Sequence, residues 1–548
     1  MNGFVLRNAQ VVDGTGAPGY PADVAVVDGR VAAIGPGLSV SADLEEVDLA
    51  GLVLSPGFVD IHTHYDAQVL WDGDLTPSSW HGVTTVLVGN CGFGIAPTRP
   101  EGRSLIAKTL ENVEGMTLEA LEAGISWEFE SFPGYLDHLD RLPKRLNVTA
   151  MVGHTPLRLY ALGEDASRRA ATPDEVAGMR RLVREALDAG AAGFASSNSG
   201  AHIGAFGRPV PSRLADMDEY RELTGAVGES GHGLLQITFG PQLGPAQFAE
   251  MADRTGRPVT WTALLTGQHD STLKVVERQA GYGAAVWPQI ACRPLVAQVT
   301  MGAPSLFGRA DAFLEVLALP RSERAQVYHD EAWRARARVD VEPHWSHRWA
   351  KTTVQESARH AGIVDGPTVA ELAAGRGVHP LDVMLDLALE EDLDTRYLVV
   401  LCNDDEDEIG GLLRDDRTLL GLSDAGAHVS QLCDACYSTH LLGHWVRDKG
   451  VLTLEQAVWR LTGQPAALLG LEGRGVLREG AIADLVAFDP DTVSPLPATR
   501  VRDFPGGADR LVADSQGVEH MWVGGVATRR DGKEIVGARP GRLLRGGR

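Results

Sequence analysis

His62 and His64 stand two residues apart at the end of the short apolar run Phe58-Val59-Asp60-Ile61. In a strand, positions i and i+2 point the same way, so both imidazoles aim at one point, as a divalent cation requires. A bare His-x-His also occurs in polar turns. The Pro56-Gly57 turn before the run and Asp66 after it favour the metal reading. Cys91, in Gly89-Asn90-Cys91-Gly92-Phe93-Gly94, follows the apolar run 83–88. A cysteine among glycines at a strand end can be a thiolate ligand. Alone it reads as a buried small residue; beside His62 and His64 the ligand reading leads. Asp424, in Leu422-Ser423-Asp424-Ala425-Gly426-Ala427-His428, can bind a metal and accept a proton from its water. The competing reading is a helix N-cap.

These side chains need a scaffold that brings strand ends together. Residues 58–61, 83–88, 148–152, a short run at Phe194, 234–239, 259–265, 284–290 and 397–402 read as strands, with helical stretches such as 173–189 between them. Alternating β and α predicts an α/β fold, a (β/α)8 barrel whose functional groups sit at the C-terminal ends of its strands. The first 55 residues and those from 471 to 548 alternate short β-like runs with turns at Asp28-Gly29 and Gly524-Gly525. They are expected to combine into a small β-sandwich, leaving 56–470 as the barrel domain. Residues 304–385 contain no convincing strand and predict a helical insertion between the seventh and eighth strands.

The chain has 548 residues, 44% hydrophobic and 22% charged, as expected of a globular enzyme. Its formal charge of −23 argues against nucleic acid or an anionic membrane as partner and leaves a small-molecule substrate. A homodimer is left open. Five cysteines do not make a disulfide framework. Cys433 and Cys436 form one Cys-x-x-Cys with no second pair, which disfavours a structural zinc site. No leader-like segment and no apolar stretch of about 20 residues is seen, so a cytoplasmic enzyme is the expectation.

Taken together, Pro56-Gly57-Phe58-Val59-Asp60-Ile61-His62-Thr63-His64, Gly89-Asn90-Cys91-Gly92, Val152-Gly153-His154-Thr155-Pro156-Leu157-Arg158, Gly421-Leu422-Ser423-Asp424 and the tail from Gly475 to Val486 resemble the metal-dependent amidohydrolase superfamily, in its D-aminoacylase branch. The resemblance implies zinc on His62 and His64, with Cys91 as a ligand at or beside two metal positions. It implies that Asp424 is both ligand and general acid/base, that His154 assists at the substrate carbonyl, and that Arg158 lies in the substrate-binding block. His154 also reads as a satisfied barrel histidine.

The chain departs from that branch at strands five and six. The deacylases carry a histidine at each of those strand ends. Here the ends read Leu234-Leu235-Gln236-Ile237-Thr238-Phe239-Gly240 and Val259-Thr260-Trp261-Thr262-Ala263-Leu264-Leu265. The lysine that follows the strand-six histidine in relatives is also missing. One zinc is therefore expected and a second is in doubt. His202 and His269 could stand in as donors but read first as ordinary loop residues, and His202 is also a candidate for substrate binding. Arg293, in Cys292-Arg293-Pro294, could hold a substrate anion or form a structural ion pair. The expected activity is hydrolysis of an amide C–N bond, most simply of an N-acyl-amino acid. A cyclic amide, lactone or natural-product amide is an alternative substrate, and a non-hydrolytic ligand-binding barrel an alternative function.

Overall fold

The computed structural model describes residues 3–39, 44–269 and 271–547. Parts of the expected N-terminal segment, residues 1, 2 and 40–43, thus lie outside the described residues. The chain opens with strands β1 (Gly3–Val11), β2 (Tyr20–Val27), β3 (Arg30–Gly35), β4 (Glu45–Asp48) and β5 (Val53–Pro56). A parallel series follows: β6 (Phe58–Asp60), β7 (Val83–Val88) and β8 (Asn147–Ala150) form one sheet. A second sheet has the order β17-β13-β12-β11-β10-β9. Its strands are β9 (Val152–Gly153), β10 (Gly193–Ser197), β11 (Leu234–Thr238), β12 (Val259–Thr262), β13 (Val286–Ile290) and, later in the chain, Leu419–Leu420 as β17.

These strands are buried along nearly their whole length, which is why they read as continuous apolar runs rather than alternating ones. The expected 148–152 strand is split in two at Met151, whose N–H donates to Val88 O while Ala192 N–H donates to Ala150 O. Helices return the chain between strands. The one at Pro173–Asp188 starts on a capping box, Thr172 with Glu175, and is followed by Gly190 at φ +103°.

Two expectations are corrected in the segment after β13. Residues 397–402 do not form a barrel strand. They belong to β16 (Arg396–Cys402), which pairs antiparallel with β14 (Leu295–Thr300) and β15 (Thr352–Glu356) in a sheet of their own. The insertion is therefore not strandless, and it is longer than 304–385: Pro294–Asp404, with Ser430–Leu432, forms a separate compact unit. It has its own core, where Phe307 stacks on Trp345 at 3.9 Å and Phe313 packs on Trp333. The pattern of β16, buried at alternate positions in its first half, fits a strand covered on one face. Local pattern identifies such a strand without saying which sheet receives it.

The two ends of the sequence share one nine-stranded sheet. β18 (Leu485–Phe488) pairs antiparallel with β5, Leu485 opposite Pro56, and the strands Val518–Val523, Val526–Arg530 and Lys533–Glu534 continue beyond it. The sheet is no plain meander, because β1 also takes β4 and β5 as parallel neighbours. Phe4 stacks on Trp522 at 5.5 Å in its core. Among the described residues no helix is long and apolar enough to cross a membrane.

Candidate metal centre

Three loops are tied together by their backbones before any side chain meets a ligand. After β6, Asp60 Oδ1 accepts the His62 N–H at 3.1 Å, which turns the chain so that His62 and His64 lie side by side. The His64 N–H donates to Ala425 O at 2.7 Å, and Ser423 Oγ donates to His62 O at 2.9 Å, binding this turn to the Asp424 loop. Asn90 Nδ2 donates to Thr63 O and Leu87 O, binding it to the Cys91 loop. Cys91 and Asp424 both adopt left-handed backbone, φ +56° and +44°, which an L-residue adopts only when its surroundings fix it.

The side chains then converge. Cys91 Sγ lies 3.4 Å from His62 Nε2, and Asp424 Oδ1 lies 3.3 Å from His62 Nε2 and 3.7 Å from His64 Nε2. The donor atoms of His62, His64 and Cys91 all fall within 4.8 Å of one another and all three residues are buried. Bonds of about 2.0–2.3 Å in a tetrahedral zinc site imply ligand-to-ligand edges of roughly 3.3–3.8 Å, so the spacing fits. The donor set, two imidazoles, a thiolate and a carboxylate, also suits zinc.

The imidazoles are oriented from behind. Gln289 Nε2 donates to Thr260 Oγ1, so its Oε1 is free to accept from His62 Nδ1 at 2.7 Å, leaving the His62 Nε2 lone pair facing the cluster. His64 Nδ1 lies 3.0 Å from Glu114 Oε1, at the end of the helix Arg103–Glu114. The Cys91 N–H donates to Gln236 Oε1 at 2.6 Å. Charges reinforce one another here. Burial opposes ionisation of the Cys91 thiol, but His62 and His64 outweigh it and bring the thiol down to about 6. Burial likewise opposes the Asp424 carboxylate, and the two histidines still hold it well below the usual range. Against burial, Glu114, Asp424 and Cys91 raise His64 well above an ordinary imidazole. A thiolate and carboxylates gathered around two buried imidazoles make a field that favours a cation at their shared point.

Other residues expected at the site lie elsewhere or are otherwise engaged. His154 and Arg158 form a closed network with Glu219. His154 Nδ1 contacts Ser196 Oγ at 2.8 Å and Nε2 contacts Glu219 Oε1 at 2.8 Å, while Arg158 Nη1 donates to both oxygens of Glu219 and Nη2 to Arg169 O. Both residues are fully buried and both ring nitrogens of His154 are used, so the geometry corrects the expectation that His154 acts at a substrate carbonyl and that Arg158 holds substrate. Arg293 is corrected in the same way: its Nε donates to the buried Asp434 carboxylate at 2.8 Å, the structural ion pair foreseen as its alternative. His202 lies beside the cluster, with its ring 5.0 Å from Phe93 and Nδ1 2.6 Å from Ser197 Oγ, and burial pushes it down to about 4. His269 packs against Phe239. On β11 and β12, Gln236 Nε2 donates to Thr262 Oγ1 at 3.3 Å, and Thr262 Oγ1 lies 4.0 Å from Cys91 Sγ. Sequence reasoning missed Glu114, Gln236 and Gln289. The last two had a signal, a glutamine inside an otherwise apolar or β-branched run. Glu114 had none, being one carboxylate among many on helices.

A parallel α/β scaffold with a His-x-His, a cysteine and an aspartate meeting at strand ends defines a class, and the amidohydrolase family model matches residues 45–528, so this chain belongs to the amidohydrolase family. Among its relatives, the D-aminoacylase of Alcaligenes xylosoxydans xylosoxydans is 30% identical over 545 residues, 99% of this chain and 97% of that protein. The crystal structure of N-acyl-D-glutamate deacylase from Bordetella bronchiseptica, complexed with zinc and a phosphonate inhibitor, superposes with a TM-score of 0.67 at 27% identity, covering 99% of both chains. A D-aminoacylase structure described with a binuclear metal centre, activated by one metal and attenuated by the second, gives a TM-score of 0.68 at 27% identity and the same coverage.

Proposed function

We propose that this protein is a zinc-dependent hydrolase of an amide C–N bond in a small N-acylated amino acid or a close analogue. The observation that carries the reading is the convergence of Cys91 Sγ, at 3.4 Å, and Asp424 Oδ1, at 3.3 Å, on His62 Nε2, with His64 Nε2 3.7 Å from Asp424. His62, His64, Cys91 and Asp424 would hold one zinc. When bound, zinc acidifies water and draws electron density from an amide carbonyl. Asp424 Oδ accepts the proton of the attacking water and returns it to the leaving nitrogen, which departs as a free amine. Gln289 and Glu114 keep the two imidazoles turned towards the cluster.

The scaffold in this reading is a closed (β/α)8 barrel of β6 through β13 with β17, the split β8/β9 counting as one strand. Support comes from the hydrogen bonds through Met151 and Ala192 and from the bridge between Thr63 and Ala425, which link the two parallel sheets at both junctions. The nine-stranded sheet is the second domain, and the Pro294–Asp404 unit an insertion between the seventh and eighth strands.

One metal rather than two follows from the strand-five and strand-six positions, where Gln236 and Thr262 bond to each other and Gln236 to the Cys91 backbone. Arg293 is engaged by Asp434, and the lysine of the deacylases is absent, which favours a substrate without a free α-carboxylate as the second reading. Metal analysis with a substrate panel tests both. About one zinc per chain, with turnover of N-acyl-D-amino acids over their L-enantiomers, supports the first reading. Bound zinc with turnover only of cyclic or carboxylate-free amides selects the second. No bound metal and no turnover refutes both.

A further inference from the structure

The Cys-x-x-Cys at 433 and 436 is not used by the metal centre. All five cysteines are free thiols. Cys436 is buried and donates its S–H to Cys433 O at 3.2 Å, and Cys433 is partly exposed. The Cys436 sulfur thus lies against the Cys433 backbone, and Asp434, between the two cysteines, accepts from Arg293 Nε at 2.8 Å. Among the described residues the cluster of three potential metal donors is His62, His64 and Cys91, and neither Cys433 nor Cys436 belongs to it.

We propose that Cys433 and Cys436 are a redox-active dithiol, which a low-molecular-weight disulfide such as glutathione disulfide closes to an intramolecular disulfide. Exposure and proximity assign the roles. Cys433, the reachable sulfur, attacks one sulfur of the oxidant; the oxidant S–S bond breaks and one glutathione leaves with the Cys433 proton. Cys436 then attacks the Cys433 sulfur of the mixed disulfide and expels the second glutathione, which takes the Cys436 proton. The protein loses two protons and two electrons, and the oxidant is reduced to two thiols. In the free dithiol the hydrogen bond between the two cysteines lowers the Cys436 thiol and raises that of Cys433; once Cys433 is in the mixed disulfide that bond is gone, and the Arg293 guanidinium remains to favour the Cys436 thiolate in the resolving step. Cys292, the third thiol nearby, is buried and donates to Tyr437 O, and burial pushes it up, so it does not compete.

The test uses the full chain loaded with zinc, treated with glutathione disulfide, alkylated and digested with trypsin. The peptide Thr418–Arg447 carries Cys433 and Cys436 and no other cysteine. The wild-type peptide is expected to lose two hydrogens and take no alkyl group. Cys436→Ser is expected to trap one glutathionyl group on Cys433, and Cys433→Ser to stay unmodified at Cys436. Dithiothreitol should reverse the first two. A wild-type peptide that takes two alkyl groups after excess oxidant overturns the proposal, whether or not the protein hydrolyses amides. Modification of Cys433→Ser at the wild-type rate overturns the assignment of roles.

Discussion

Two buried histidine–carboxylate groups sit at strand ends in this protein, and they are built for opposite ends. At the candidate metal centre, His62 and His64 each commit one ring nitrogen to a partner behind them and leave Nε2 turned to a shared point with Cys91 and Asp424. In the second group, His154 commits both nitrogens, and Glu219 is held by Arg158 as well. The first group has valence left over; the second has none. A histidine at a strand end is therefore informative only when its remaining nitrogen is known.

The largest effect that would break this comparison is Asp424→Asn. It should lower kcat/KM by about 10²–10⁴-fold while zinc content stays near one per chain, since it removes the proton carrier and keeps an oxygen donor. Initial rates with metal analysis check it, and near-normal rates would end the proposed role. Glu219→Gln should do the reverse. It leaves Arg158 buried without its charge partner and should cost about 3–5 kcal/mol of stability, read from urea unfolding, with zinc per folded chain unchanged. Gln289→Ala sharpens the contrast, because it frees His62 without touching a donor. Zinc affinity should fall about 10–100-fold in a competition titration against a chelator, with little change in the unfolding midpoint.

The smallest effect concerns a third histidine of the closed kind. His81 bonds Thr439 Oγ1 at 2.8 Å and Ala513 O at 2.9 Å, and burial pushes it down to about 4. Its folded pKa thus lies below the unfolded value of about 6.5. Its contribution is intact above pH 6.5 and is lost as pH falls towards 4, because the unfolded chain takes up the proton first. Between pH 7 and pH 5 the loss should be about 2 kcal/mol. His81→Gln should flatten that slope in paired urea titrations; an unchanged slope would assign the pH dependence to other groups.

The donor set was legible because its chemistry is local. His62 and His64 share a strand end, and Cys91 and Asp424 each follow a short apolar stretch that the parallel sheets require. The partners that aim those donors were not legible. Gln289 lies 227 residues from His62, and Glu114 lies on a helix whose end only the fold brings to His64. The misplacement of residues 397–402 has the same origin. Their apolar character is real, but pairing with β14 and β15 is a choice made between distant segments. The expectations for Arg158, His154 and Arg293 also failed on partners: each residue type was suited to a site, and each was already held by a buried carboxylate.

The pairing of β5 with β18 sets a timetable for the growing chain. Pro56 and Leu485, which face each other, are roughly 430 residues apart, and at about 5–20 residues per second the ribosome needs some 20–90 s to pass from one to the other. For that interval β5 presents an open hydrogen-bonding edge. The parallel sheets that follow it are made almost entirely while this sheet stays unfinished. Slowing translation within residues 57–484 lengthens that exposure, so the yield of folded protein should depend on synthesis speed there more than in the last sixty residues.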